Sequence, residues 1–237
     1  MLFLLVMSTI LRAQIPDEFK NLQLIDSDIS KGELVGKMRG FASALGVRCL
    51  HCHVGTDGDR FTDVVFDADD KETKRIARVM IEMTASINAT LREKTGRDPA
   101  ILTTVTCLTC HHASNKPVDL LTDLETAYET GGAAAALSLY AGLREKYYGR
   151  AVYDFAPFRL INLAESSFDE GDTGGAIEIL IANQKYFPKE SYTWVVLSQI
   201  YARTGEKKAA IKSAKKALKL DPGNQWWKDN LERIKGG

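Results

Sequence analysis

The sequence predicts an all-α protein made of two helical regions in succession. Two long stretches, opening near Ser30 and near Asp70, carry apolar residues at the three- and four-residue spacing of a helix face. A later stretch matches itself at an offset of 34 residues, the period of a helix–turn–helix repeat. Hydrophobic residues at 45% and charged residues at 26% suit a soluble globular chain. Lys+Arg and Asp+Glu total 31 each, so the formal net charge is zero. Nucleic-acid binders carry a basic excess, so no nucleic-acid partner is expected.

Residues 1–13 read as an export signal. Leu2 to Leu11 is apolar apart from Ser8 and Thr9. It is too short to span a bilayer as a helix, and Ala13 suits the last position before cleavage. No positive charge precedes the run. The mature chain is expected to begin near Gln14 and to hold no membrane span. Residues 14–117 then form a first domain, which contains every Cys and His, and residues 118–237 a second domain with neither.

In the first domain, Ser30-Lys31-Gly32-Glu33 reads as a capping box. Leu34, Val35, Met38, Phe41, Ala42 and Leu45 follow on one helix face, and Gly46 is a natural C-terminal cap. A second helix is expected from about Asp70 to Lys94, with Ile76, Val79, Met80, Met83, Ile87 and Leu91 as its stripe. Asp69 and Asp70 at its start, Arg92 and Lys94 at its end and Gly96 beyond obey the dipole and capping rules. A short loop through Asp98-Pro99 follows.

In the second domain the 34-residue offset pairs Leu163 with Leu197, Gly171 with Gly205, Ala176 with Ala210 and Pro188 with Pro222. Leu160 corresponds to Trp194. This is the tetratricopeptide pattern: alanines let paired helices approach, and prolines stop the second helix. Leu120 to Tyr148 is expected to add a helical hairpin turning at Gly131-Gly132. Residues 224–235, with Trp226, Trp227, Leu231 and Ile234, are expected to form a capping helix.

The chemistry lies in two Cys-x-x-Cys-His motifs, Cys49/Cys52/His53 and Cys107/Cys110/His111, which use all four cysteines. This is the attachment signature of c-type haem: each cysteine pair adds to the two vinyl groups, and the adjacent histidine ligates the iron. Two covalent haem c groups are therefore expected. A zinc site built from both pairs would need a 54-residue loop and leaves the repeated histidines unexplained. A thioredoxin-like pair would sit beside a βαβ pattern, which is lacking. Disulfides suit an exported chain but also leave the histidines over.

The sixth ligand decides between electron transfer and small-molecule chemistry. His51 lies between the cysteines of its own haem and His112 adjoins a proximal ligand, so neither reaches the far face of its own haem. Met38, on the helix before Cys49, is on spacing alone either a ligand or a core methionine.

The segments Met38-Arg39-Gly40-Phe41, Leu45-Gly46-Val47-Arg48-Cys49, Arg78-Val79-Met80-Ile81-Glu82-Met83-Thr84, Ile87-Asn88-Ala89 and Val105-Thr106-Cys107-Leu108-Thr109-Cys110-His111 resemble the multihaem cytochrome c subunit of photosynthetic reaction centres. The resemblance runs from about Leu22 to His112. It implies a helix parallel to each haem plane, with a methionine on it ligating the iron. Met38 then serves the haem on Cys49/Cys52/His53, and Met80 the haem on Cys107/Cys110/His111. Met83 then falls in the core, a distinction the apolar stripe does not make. The family carries four haems where this chain holds two motifs, and Lys94 stands where the family offers a histidine to another haem. His112-Ala113 replaces the family's usual Arg-Gly.

The expectation is a periplasmic, bacterial dihaem cytochrome that relays single electrons without acting as an enzyme. Its redox protein partners would dock on the helical repeats, and association with a membrane complex is compatible with this. The competing expectation is a peroxidase-like dihaem enzyme with one open haem site.

Overall fold

A computed structural model describes residues 15–56, 64–98 and 100–236. Residues 1–13, read as an export signal, and Pro99 of the expected loop lie outside these. Among the described residues the structure is all-helical, and the one β-contact is the isolated bridge between Val54 and Val65. No described helix is long and apolar enough to cross a membrane. The chain divides into two compact units at Pro117/Val118.

The first unit contains α1 (Lys31–Leu45), a 3-10 turn at Cys49–His51, α2 (Glu72–Thr95) and the short α3 (Cys107–His111). The Ser30 side chain accepts from the Glu33 amide, and Glu33 answers at the Ser30 amide, so the capping box forms as expected. That exchange holds the Glu33 carboxyl below its usual value. Gly46 ends α1 in the left-handed conformation, φ 64. A Cβ there would lie 2.0 Å from the Ala113 carbonyl oxygen, and the Ala113 amide donates to Ala44 O at 3.0 Å. Glycine is thus required twice, by φ and by backbone approach. The end of α1 is seated on the chain just after α3.

α2 departs from expectation at its start. It begins at Glu72, and its N-cap Lys71 makes no side-chain capping bond. Asp69 does not cap the helix. It forms ion pairs with Lys74 at 3.0 Å and Arg78 at 2.8 Å. Arg78, Asn21 and Lys74 hold its carboxyl well below the usual carboxylate range. The helix ends as expected at Gly96, φ 58.

The second unit contains α4 (Leu120–Tyr147), α5 (Phe158–Asp169), α6 (Thr173–Tyr186), α7 (Ser191–Arg203), α8 (Lys207–Leu220) and α9 (Gln225–Gly236). α4 is broken by non-helical backbone at Gly131 (φ −153) and Gly132 (φ 66). A straight helix would hold residues 123 and 147 about 36 Å apart. Tyr153 nevertheless donates to Asp123 at 2.9 Å while its ring packs 5.5 Å from that of Tyr147. The two halves of α4 therefore fold back as the expected hairpin. Leu120, Leu124, Ala136 and Tyr140 join Leu160, Leu163, Ala176 and Leu180 in one core.

α5/α6 and α7/α8 are the two repeats. Gly171 (φ 95) and Gly205 (φ 83) make equivalent left-handed turns, and Ala176 and Ala210 are both fully buried. Buried Asn183 donates to Thr193 across the joint between the repeats, and buried Asn230 donates to Ser198 from α9, each at 2.9 Å. α9 buries Leu231 and Ile234, as a cap should. Trp226, named within the expected capping helix, is 81% exposed. It lies in the first turn, and the buried positions of α9 fall on its later turns.

Candidate functional site

Each Cys-x-x-Cys-His motif forms a single helical turn, which brings its two cysteines to one side. In the first turn the Cys52 and His53 amides both donate to Cys49 O, at 3.2 and 3.0 Å. In the second, Thr106 and Thr109 bond reciprocally across the N-terminus, and the His112 amide donates to Leu108 O at 3.0 Å. All four cysteines are free thiols. Burial pushes the Cys52 thiol up. Among the described residues no three His, Cys, Asp or Glu side chains converge as a metal-ion site, so the four cysteines do not gather as a zinc centre would require.

Both motif histidines are oriented in the same way. His53 Nδ1 lies 3.1 Å from Phe66 O, and His111 Nδ1 lies 2.9 Å from Ser114 O. A carbonyl only accepts, so each Nδ1 carries the proton and each Nε2 presents its lone pair. A carbonyl behind the ring, accepting from the nitrogen that does not face the metal, fixes tautomer and ring orientation. Burial, with the Lys74 charge, holds the His53 imidazole below its usual value, which keeps it neutral as a ligand must be. His51 is half-buried and His112 exposed.

α2 braces both motifs. At its start, Lys71 Nζ donates to Leu50 O and Thr73 Oγ1 to His51 O, the two carbonyls inside the first motif. Fifteen residues on, or about 22 Å along the axis, Asn88 clamps the approach to the second. Its Nδ2 donates to Val105 O at 2.7 Å and to Thr84 O at 3.0 Å, and its Oδ1 accepts from the Val105 amide at 2.8 Å. Asn88, Lys71, Thr73, Phe66 and Ser114 were not singled out from the sequence as positioning residues. The one available signal was an asparagine, a poor helix former, in mid-helix.

No α2 side chain is buried by protein, and Ile76, Val79, Ile87 and Leu91 form an exposed apolar strip. Met80, on the same strip, is half-buried, as is Met38 on α1. Met83, expected in the core, is 46% exposed. The stripe marks an apolar face, but among the described residues no element covers it fully at Met83. Lys94 is exposed and paired with Glu93 at 2.8 Å. His112 (φ 49) and Ala113 (φ 62) both adopt the left-handed conformation, which the family's glycine takes without strain.

Residues 17–139, just over half of the chain, match the family described as Photosynthetic reaction centre cytochrome C subunit. The chain belongs to that family. A member of the reaction-centre cytochrome family is a multihaem cytochrome with covalently bound haem c, and the residues here fit that group. Paired thiols share one turn with an oriented imidazole, and α2, which braces both turns, carries an exposed apolar strip that a porphyrin face would cover. The family match extends past the first unit into α4. Residues 191–224 match the Tetratricopeptide repeat, a module that stacks helix pairs into protein-binding surfaces. No curated protein matches this reaction-centre cytochrome relative.

Proposed function

We propose that the chain is an exported dihaem cytochrome that relays single electrons between redox protein partners, with the helical repeats as its docking element. Haem c, held by Cys49/Cys52 and Cys107/Cys110, supplies the one-electron iron couple. The observation that carries the proposal is the matched pair of Nδ1 contacts, which leaves the Nε2 atoms of His53 and His111 available as proximal ligands. Met38 and Met80 are the distal ligands by family likeness, and thioether ligation tends to raise the potential relative to bis-histidine. With a histidine and a methionine available to each iron, no side chain would need to act as acid, base or nucleophile. The apolar stripes of α1 and α2 would lie against the haems and exclude water from them. Export to the periplasm is supported by the apolar run from Leu2 to Leu11, and by the bacterial attachment of haem c outside the cytoplasmic membrane.

The test is a visible spectrum of the purified holoprotein with haem quantified per chain. Two haems per chain are expected, low-spin in both redox states, with a weak far-red Met–iron band when oxidised. Met38→Ala and Met80→Ala should each remove about half of that band. A high-spin component that shifts with cyanide or peroxide would overturn the closed-iron relay and favour a peroxidase-like site.

A further inference from the structure

We propose that Lys74 raises the reduction potential of the haem carried by Cys49 and Cys52, making it the electron-accepting member of the pair. This deepens the dihaem relay proposed above and rests on it.

The two proximal histidines share a geometry but not an electrostatic setting. Phe66 O, which accepts from His53 Nδ1 at 3.1 Å, also accepts from Lys74 Nζ at 2.9 Å. A carbonyl already engaged by an ammonium is a weaker acceptor, so the His53 ring keeps less imidazolate character and donates less electron density to its metal. The ammonium charge also disfavours the ferric state through space. Both effects act in the same direction. Lys71 adds to them, since its Nζ donates to Leu50 O between the two cysteines. The offset is partial: Lys74 and Arg78 share one carboxylate, Asp69, at 3.0 and 2.8 Å.

At the second motif His111 Nδ1 meets Ser114 O at 2.9 Å, and among the described residues no cationic side chain hydrogen-bonds to that carbonyl. His111 is buried, which also disfavours charge on its metal. A unit charge one carbonyl from the ligand ring is the larger effect at the dielectric found near a protein surface.

The test is a potentiometric titration of the holoprotein with haem content measured alongside. Two one-electron steps are expected. In Lys74→Met the upper midpoint should fall by about tenfold in its equilibrium constant, ~59 mV for one electron, with the lower step unmoved. Lys74→Arg, which keeps the charge, should restore it. Asp69→Asn, which removes the partial offset, should move the upper midpoint the other way and serves if Lys74→Met does not mature. An unmoved upper midpoint in these variants, or movement of the lower step instead, overturns the inference and leaves the relay standing. Fewer than two haems per chain overturns the relay and this inference together.

Discussion

Asn88→Ala isolates the clamp on the second motif. The substitution leaves the Val105 amide and carbonyl, bonded at 2.8 and 2.7 Å in the native chain, without their partner. Each such bond contributes about 1 kcal/mol net, so the local loss is about 2 kcal/mol. Alanine is the better helix former and returns roughly 0.5 kcal/mol to α2. The difference of roughly 1.5 kcal/mol is about a tenfold rise in local opening around Val105. Native-state hydrogen exchange reads this directly, because the Val105 amide should lose about tenfold in protection. Amides in α5 to α8 belong to the other unit and should be unchanged. Cys107 and its adjacent turn should be loosened along with Val105, so attachment of the second haem should suffer before that of the first. Unchanged protection at Val105, or an equal loss in the repeat helices, would refute the clamp.

Gly46→Ala should lower the thermal midpoint much more than Gly96→Ala: both positions have positive φ, but a Cβ at Gly46 meets the Ala113 carbonyl at 2.0 Å while one at Gly96 meets open space. The left-handed conformation alone costs about 1–2 kcal/mol, so equal losses in the two variants would show that the α1–Ala113 contact is not tight. Asp69 supplies a pH dependence of known sign. Its carboxyl is held below its ordinary 3.8 by Arg78, Asn21 and Lys74, so its stabilising contribution is complete above about pH 4 and is lost as pH falls further. Acid unfolding of the first unit followed by circular dichroism should therefore be shallower in Asp69→Asn, and an identical acid limb would contradict the network.

Much of this architecture was legible because local chemistry dictates it. The Ser30/Glu33 exchange, the left-handed Gly46 and Gly96 and the equivalent turns at Gly171 and Gly205 involve residues close in sequence, where spacing and geometry coincide. The Gly131-Gly132 hairpin follows from the same rule. What escaped was contact across distance. Asn88 meets Val105 seventeen residues away, and the end of α1 is pressed against Ala113, two residues beyond the second motif. Periodicity identifies an apolar face but not what lies against it: Met83, placed in the core by the family resemblance, is 46% exposed, and Trp226 of the capping helix is 81% exposed. Asp69 was read as a helix-start charge, yet the nearer attraction of Lys74 and Arg78 draws its carboxylate to their side chains.

The bracing of both motifs by α2 also governs where the chain tolerates change in length. Both sets of braces lie along one continuous helix, from Lys71 and Thr73 at its start to Asn88 near its middle. A single residue inserted between Thr73 and Asn88 would swing one brace relative to the other by about 100° around the helix axis. α2 acts as a gauge block: its residue count sets the spacing and the mutual rotation of the two braces on the attachment turns.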